Sequence, residues 1–411
     1  MICRARRRRY WTFCAVLLIL ILFAFSLHTP TNEKLRNIFC NDAVDPDPPA
    51  AEQSSFVLDT SGTYRIFPDV FSAHAPPPAP AVLTLLTHTS LNNLRYVPRL
   101  VERWTAGMAV AVFVPPGLLG EIREVLDGMR RCYPLVAEYV TFHVVSPGVG
   151  EKGGLGRRGK GELRGCNGSL PLRYWELVIS GQWASQNYNL DHPYPNNLLR
   201  NVARRFTLSQ FYLTIDVDML PSGDLYTDFL AFLSPFNYTL ATPPLDHQVF
   251  VLPAFELRRP DTTPAHKPQL LTQMHQLQAR PFYFEMCWKC QQPTDYRRWE
   301  TAPTEGKMAV AYDVEWRDPW EPFVIVHRSA PWFDERFKQY GFNRISHACE
   351  LFVAGYKFSV LDTAFVMHLG FKTSDNFHQT KTEELNQNRR LFAIFKEELR
   401  MKYPDSTRKC E

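Results

Sequence analysis

The chain has 411 residues, 45% of them hydrophobic, enough for one large core or two tightly joined lobes. Its formal charge is only +4, and the N-terminal cluster Arg4, Arg6, Arg7, Arg8 and Arg9 carries that excess. The remainder is close to neutral, which excludes the basic footprint of a nucleic-acid binder.

Behind the arginines, Trp11–Leu27 is a run of 17 residues without a charge, at the short end for a spanning helix. The cluster keeps residues 1–10 cytoplasmic. A cleaved signal peptide would have a similar apolar core. No small-x-small cleavage site precedes the polar stretch from Thr29, so the run reads as an uncleaved anchor. Residues 28–55, acidic and Pro-rich around Asn41–Ala50, read as a stem with little to bury. Residues 56–411 then form a lumenal domain. Two N-x-[ST] sequons, at Asn167 and Asn237, agree with a lumenal setting. So do the cysteines: Cys40, Cys132, Cys166, Cys287, Cys290, Cys349 and Cys410 lie beyond the span, and most should pair in an oxidising lumen. The odd one is assigned to Cys40 in the stem.

In the body, Pro76–Pro80 is a stiff spacer. Strands are predicted at Ala81–Thr87, Met108–Val114 and Val140–Val145, with helices at Leu94–Thr105 and Gly120–Arg131 between them. This alternation predicts an α/β fold on an open, mostly parallel sheet, with ligands beyond the carboxyl ends of the strands. The glycine-rich, basic stretch Gly148–Gly165 is not a phosphate loop: Lys160 is followed by glycine, and no strand leads into a helix there.

Tyr194–Arg205 has helical spacing. Asn197 and Asn201 are i,i+4 neighbours, as are Arg200 and Arg204. This row could hold uridine, ribose or sugar hydroxyls, or could be a solvated face. The next apolar run, Phe211–Ile215, reads as a buried strand ending in Asp216-Val217-Asp218 before a Pro-Ser-Gly turn. Side chains two apart in a strand point the same way, so two carboxylates meet where the strand stops. Such a pair suits a hard cation, Mg2+ or Mn2+, with open positions for a diphosphate. Asp pairs also serve as plain turn residues.

Gln248–Leu257 reads as one strand running into Arg258. Cys287-Trp-Lys-Cys290 has metal-ligand spacing but no second pair, so a disulfide is the better reading. Trp316 and Trp320, flanked by Asp318 and Glu321, could cradle a sugar ring or pack in the core. After the apolar run at Phe365, His368 could be a third metal ligand, with Lys372 on a diphosphate, or it could be a packed core histidine. Lys381–Lys402 is an amphipathic helix read as a cover over the core.

The segments D-V-D-M-x-P-S, Y-P-N-N-L-L-R-N, V-P-A-F-E, C-x-x-C, D-P-W-E-P-F, D-E-R-F-K-Q-Y-G-F-N-R-I-S and H-x-G-F-K occur in order, with the similarity dense from Tyr194 onward. Together they resemble the β-1,4-glucuronyltransferase family, relatives of the second catalytic domain of LARGE-type glycosyltransferases. The resemblance implies a GT-A-like nucleotide-sugar transferase fold in a type II protein of the Golgi membrane. It implies inverting, Mn2+-dependent transfer of glucuronic acid from UDP-glucuronate to a xylose-terminated glycan, priming matriglycan on α-dystroglycan-like glycoproteins, with a LARGE-type glycosyltransferase as a partner. It carries Asp216, Asp218 and His368 over as metal ligands. An inverting reaction needs one carboxylate base: Glu350 is the choice, with Asp318, Glu321 and Asp334 as rivals. The donor's carboxylate needs a cation, for which Arg200, Arg204, Arg258 and Lys372 are candidates. Three readings compete: transfer of another sugar such as N-acetylglucosamine in poly-N-acetyllactosamine synthesis, a non-catalytic partner of another transferase, and a nucleotide-sugar hydrolase.

Overall fold

Apolar strands alternating with helices build the first half of the structure. A computed structural model describes residues 56–75, 81–148, 154–155, 192–236, 247–259, 261–303, 306–373 and 380–411. The cytoplasmic tail, anchor, stem and spacer, both sequons, Cys40, Cys166 and most of the Gly148–Gly165 loop lie outside these residues. Among the described residues, no helix is long and apolar enough to cross a membrane.

The first five strands are β1 (Val57–Leu58), β2 (Tyr64–Phe71), β3 (Ala81–Ser90), β4 (Met108–Phe113) and β5 (Val140–Pro147). The expected helices between β3, β4 and β5 form, although the first opens as a 3-10 turn over Leu91–Tyr96 before Val97–Trp104 becomes α-helical. The Asn196–Arg205 helix then leads into β6 (Ser209–Thr214), which adds beside β3. β3, β4, β5 and β6 run parallel, because each is reached through a segment long enough to cross over the sheet.

Beyond β6 the chain leaves this sheet. β7 (Met219–Pro221) belongs to a second, four-stranded sheet. The single strand expected over Gln248–Leu257 is two: β8 (Gln248–Leu252) in the large sheet and β9 (Ala254–Leu257) in the small one. Pro253 sits at the break, where its missing N–H would interrupt a continuous ladder. β10 (Ala279–Pro281) pairs with β9. The last strands are β11 (Val310–Val314), β12 (Phe323–His327), β13 (Lys357–Leu361) and β14 (Val366–Leu369).

The large sheet has the order β1-β2-β5-β4-β3-β6-β12-β8-β13-β11. It is mixed, not mostly parallel: β12 lies antiparallel between β6 and β8, β11 is antiparallel to β13, and β2 to β5. The core runs along both sheets, with Phe211, Phe229, Phe250 and Trp299 fully buried. Trp316 and Trp320 are part of this core, with indole N–H groups bonded to Trp320 O and Thr294 Oγ1, and offer no face to a sugar. Two disulfides tie down the second half. Cys287–Cys290 is the bridge its spacing predicts, and Cys349–Cys410 fastens the C-terminus to the Asn343–Val353 helix.

Candidate active site

The acidic stretch sits where the chain passes from the large sheet to the small one. β6 ends at Thr214 and β7 starts at Met219, so Asp216 and Asp218 occupy the crossing. β14 pairs antiparallel with β7, placing His368 opposite Met219, and Leu369 N–H donates to Asp218 O at 3.3 Å. Register alone therefore brings His368 beside Asp218, 150 residues away in sequence: Nε2 lies 3.0 Å from Asp218 Oδ2.

The other ring nitrogen fixes what this contact means. His368 Nδ1 is 2.6 Å from Gly370 O, an acceptor only, so Nδ1 carries a proton and donates it. Nε2 and a carboxylate oxygen, both bearing lone pairs, then face each other at 3.0 Å. Both lone pairs are open to a shared metal ion. A carboxylate beside an oriented imidazole, on a cavity wall, is a donor set that fits a divalent ion with open positions. Lys372 Nζ, 3.5 Å from the same carboxylate oxygen, adds positive charge. Burial opposes ionisation of Asp218, but Lys372 and His368 outweigh it and hold the carboxyl well below its usual range.

Asp216 is bound differently. Arg200 Nη2 donates to Oδ1 at 3.1 Å and Arg344 Nη1 to Oδ2 at 2.7 Å. Burial pushes this carboxyl up, yet the two guanidiniums dominate and bring it down to about 2. The expected metal pair thus differs in its partners: Asp218 faces His368, while Asp216 accepts one hydrogen bond on each oxygen from Arg200 and Arg344, and both line one cavity. His88, on β3, has Nε2 buried without a hydrogen bond, 3.7 Å from Asp216 Oδ1. Burial and the Arg200 charge lower its pKa to about 3, so it is neutral at pH 7.

These groups line a cavity of about 480 Å3 together with Glu321. Arg344 Nη2 lies 3.5 Å from Glu321 Oε2, so one guanidinium faces both Asp216 and Glu321. Burial raises the Glu321 pKa above the usual carboxylate value despite Arg344. A half-protected carboxylate of raised basicity in the cavity wall is suited to accept a proton.

The other expected catalytic residues fall elsewhere. Glu350 is buried, but Oε1 accepts from Lys402 Nζ at 2.6 Å and Tyr403 OH at 3.0 Å, and it lines a different cavity. It is six residues along the helix from Arg344, about 9 Å of rise and on another face, so it is not placed to serve the Asp218 cavity. Asp334 pairs with Arg336 and also lines that second cavity, and Asp318 is exposed on the turn before Pro319.

The polar row on the Asn196–Arg205 helix is buried and is not a solvated face. Asn197 Nδ2 donates to Asp334 O and Asn343 O, at 2.8 and 3.1 Å. Asn201 exchanges hydrogen bonds with Phe333 O and N–H. Arg204 donates to Pro331 O, Arg328 O and Ala330 O. The row holds the loop that carries Arg328–Asn343 through its backbone, and of the four residues Arg200 alone lines the Asp216 cavity. Arg204→Met leaves three carbonyls without their donor and is expected to cost about 3 kcal/mol or more, read as a lowered urea midpoint. Of the remaining cations, the Arg258 guanidinium lies over the Phe371 ring, away from the cavity, and Lys372 lines it.

Sequence reasoning missed Arg344, His88 and Glu256. Glu256 is fully buried and accepts from Tyr283 N–H, Arg280 Nε and Lys372 N–H, which anchors the backbone that presents Lys372. His88 carried a usable signal, since it sits toward the carboxyl end of β3, next to the strand that bears the aspartates.

With the geometry in place, the chain can be set beside known proteins. The family described as glycosyl-transferase for dystroglycan matches residues 82–404. Beta-1,4-glucuronyltransferase 1 of Danio rerio is 40% identical over 366 residues, covering 86% of this chain and 83% of that protein. The Homo sapiens protein of the same name is 39% identical, covering 87% and 84%. Xylosyl- and glucuronyltransferase LARGE1 of Mus musculus is 34% identical over 50% of this chain and 26% of its own length. Among solved structures, S. aureus TarS 1–349 with UDP aligns at 14% identity and a TM-score of 0.38, over 76% of this chain and 65% of that one, a likeness too slight to build on.

Proposed function

The chain belongs to the glycosyl-transferase family described for dystroglycan and is a glycosyltransferase, and we propose that it transfers glucuronic acid from UDP-glucuronate to a β-xylose acceptor. The observation that carries this reading is the convergence of Asp218, His368, Lys372 and Glu321 on one cavity in a chain so similar to β-1,4-glucuronyltransferases. The proposed architecture is GT-A-like, anchored by residues 11–27, with a stem over 28–55 and the body in the Golgi lumen. The two disulfides support an oxidising compartment.

An α-linked nucleotide sugar that yields a β-glycoside reacts with inversion, by one in-line attack. The acceptor hydroxyl oxygen forms the new bond to the anomeric carbon as the bond to UDP breaks. Glu321 accepts the hydroxyl proton; its raised pKa and its place in the cavity favour it over Glu350. Arg344, shared by Asp216 and Glu321, holds these two carboxylates in fixed relation at the cavity wall. Asp218 and His368 would hold the divalent cation, and when bound it supplies positive charge to the diphosphate of the departing UDP. A carboxylate with an imidazole suits Mn2+ better than Mg2+, which prefers an all-oxygen shell. Lys372 is the cation for the donor's phosphates or its carboxylate.

The test is a donor scan with a β-xyloside acceptor. Glucuronyl transfer from UDP-glucuronate, with UDP-N-acetylglucosamine and UDP-xylose left unused, supports the reading. Consumption of UDP-N-acetylglucosamine instead would replace the donor, and glucuronate release without acceptor would make the protein a hydrolase.

A further inference from the structure

The loop held by Arg204 carries a feature that the catalytic cavity does not use. Trp332 is 47% exposed, an unusual position for the largest apolar side chain. It is not loose: the Arg204 guanidinium lies 4.2 Å from the ring centroid and is itself fixed by three backbone carbonyls. One side of the indole is therefore braced on a buried cation, and the ring lines a second cavity of about 560 Å3.

The walls of that cavity are polar. Glu350 is buried in it, held by Lys402 and Tyr403. Arg336 is clasped by Asp334 and Glu398, with Nη1 2.9 Å from Glu398 Oε1. Asp334, Glu350 and Glu398 face Arg336 and Lys402, so the lining carries a slight negative excess and disfavours an anionic ligand. A rigid aromatic ring beside oriented carboxylates, a phenol and a guanidinium matches a pyranose, which offers C–H groups to the ring and hydroxyls to the polar atoms.

We propose that this second cavity is a binding site for a neutral pyranose unit of a glycan chain, with Trp332 as its stacking platform. Arg344, near the N-terminal end of the Asn343–Val353 helix, lines the catalytic cavity, and Glu350, toward the C-terminal end, lines this one, so a single rigid element fixes their spacing. The site takes no part in the chemistry and does not depend on which sugar is transferred.

The test is saturation-transfer NMR with xylotriose, cellotriose and maltotriose as neutral probes and trigalacturonate as the anionic control. Saturating UDP and Mn2+ are present to fill the catalytic cavity. At least one neutral trisaccharide is expected to bind with a dissociation constant on the order of 1 mM, and trigalacturonate more weakly. Trp332→Ala should weaken that binding at least about tenfold. Trp332→Phe keeps a flat ring over Arg204 and should weaken it less, which guards against a misfolded alanine variant. Turnover of a simple xyloside should be unchanged in both. No binding of any neutral probe, tighter binding of trigalacturonate, or binding indifferent to both substitutions would overturn the proposal.

Discussion

Asp218→Asn is expected to lower kcat about a thousandfold, the equivalent of about 4 kcal/mol in the barrier. Asp218 is the carboxylate that faces His368 Nε2, so the substitution removes the negative partner of that contact and the anionic half of the proposed cation site. The fold should survive. Lys372, the other neighbour, is 25% exposed and can be solvated when its partner is neutral. The prediction is checked by single-turnover kinetics alongside thermal melting. An Asp218→Asn enzyme with a tenth of normal activity would show that the carboxylate is not needed for leaving-group stabilisation.

Glu321→Gln is expected to cost about a hundred- to ten-thousandfold in kcat/KM, the range for loss of a general base. Glutamine keeps the shape and removes the proton acceptor. The pH profile gives the sharper reading. Burial raises the Glu321 pKa above its ordinary 4.5, and the base must be ionised to work. Activity should therefore rise with pH through that raised pKa and fall as pH drops below it, and Glu321→Gln should lose this acid limb along with the rate. An unchanged limb in the variant would assign it to another group. Glu350→Gln, in the second cavity, should leave both the rate and the limb in place.

The acidic strand was legible because two local signals coincide there: an apolar run that must be buried and a charged end that cannot be. His368 was legible only as a residue type. Its partnership with Asp218 depends on the register of β14 against β7, which no local pattern encodes. The row from Asn197 to Arg204 shows how a correctly read helix face can meet a partner its spacing does not announce. Its spacing defined the polar face, but not that the Arg328–Asn343 loop, more than a hundred residues later, would lay its carbonyls against it. Buried carbonyls need donors, and amides and guanidiniums supply them as readily to a loop as to a sugar. Glu350 and Arg344 lie on one helix yet line different cavities, which the helix's own sequence does not reveal. The aromatic-and-carboxylate pattern fell on buried tryptophans: Trp316 and Trp320 are core, whereas Trp288 and Trp332 are exposed. The strand break at Pro253, by contrast, could have been read from the proline alone.

The most direct measurement is turnover by the compact unit Ser54–Glu411 with UDP-glucuronate and a β-xyloside, with Mn2+ or with EDTA, analysed for product linkage. The account predicts a β-linked glucuronyl-xylose that forms with Mn2+, disappears with EDTA and returns when Mn2+ is restored. Equal transfer in EDTA would contradict the role given to Asp218 and His368, and no transfer under any condition, with UDP-glucuronate bound, would contradict the acceptor.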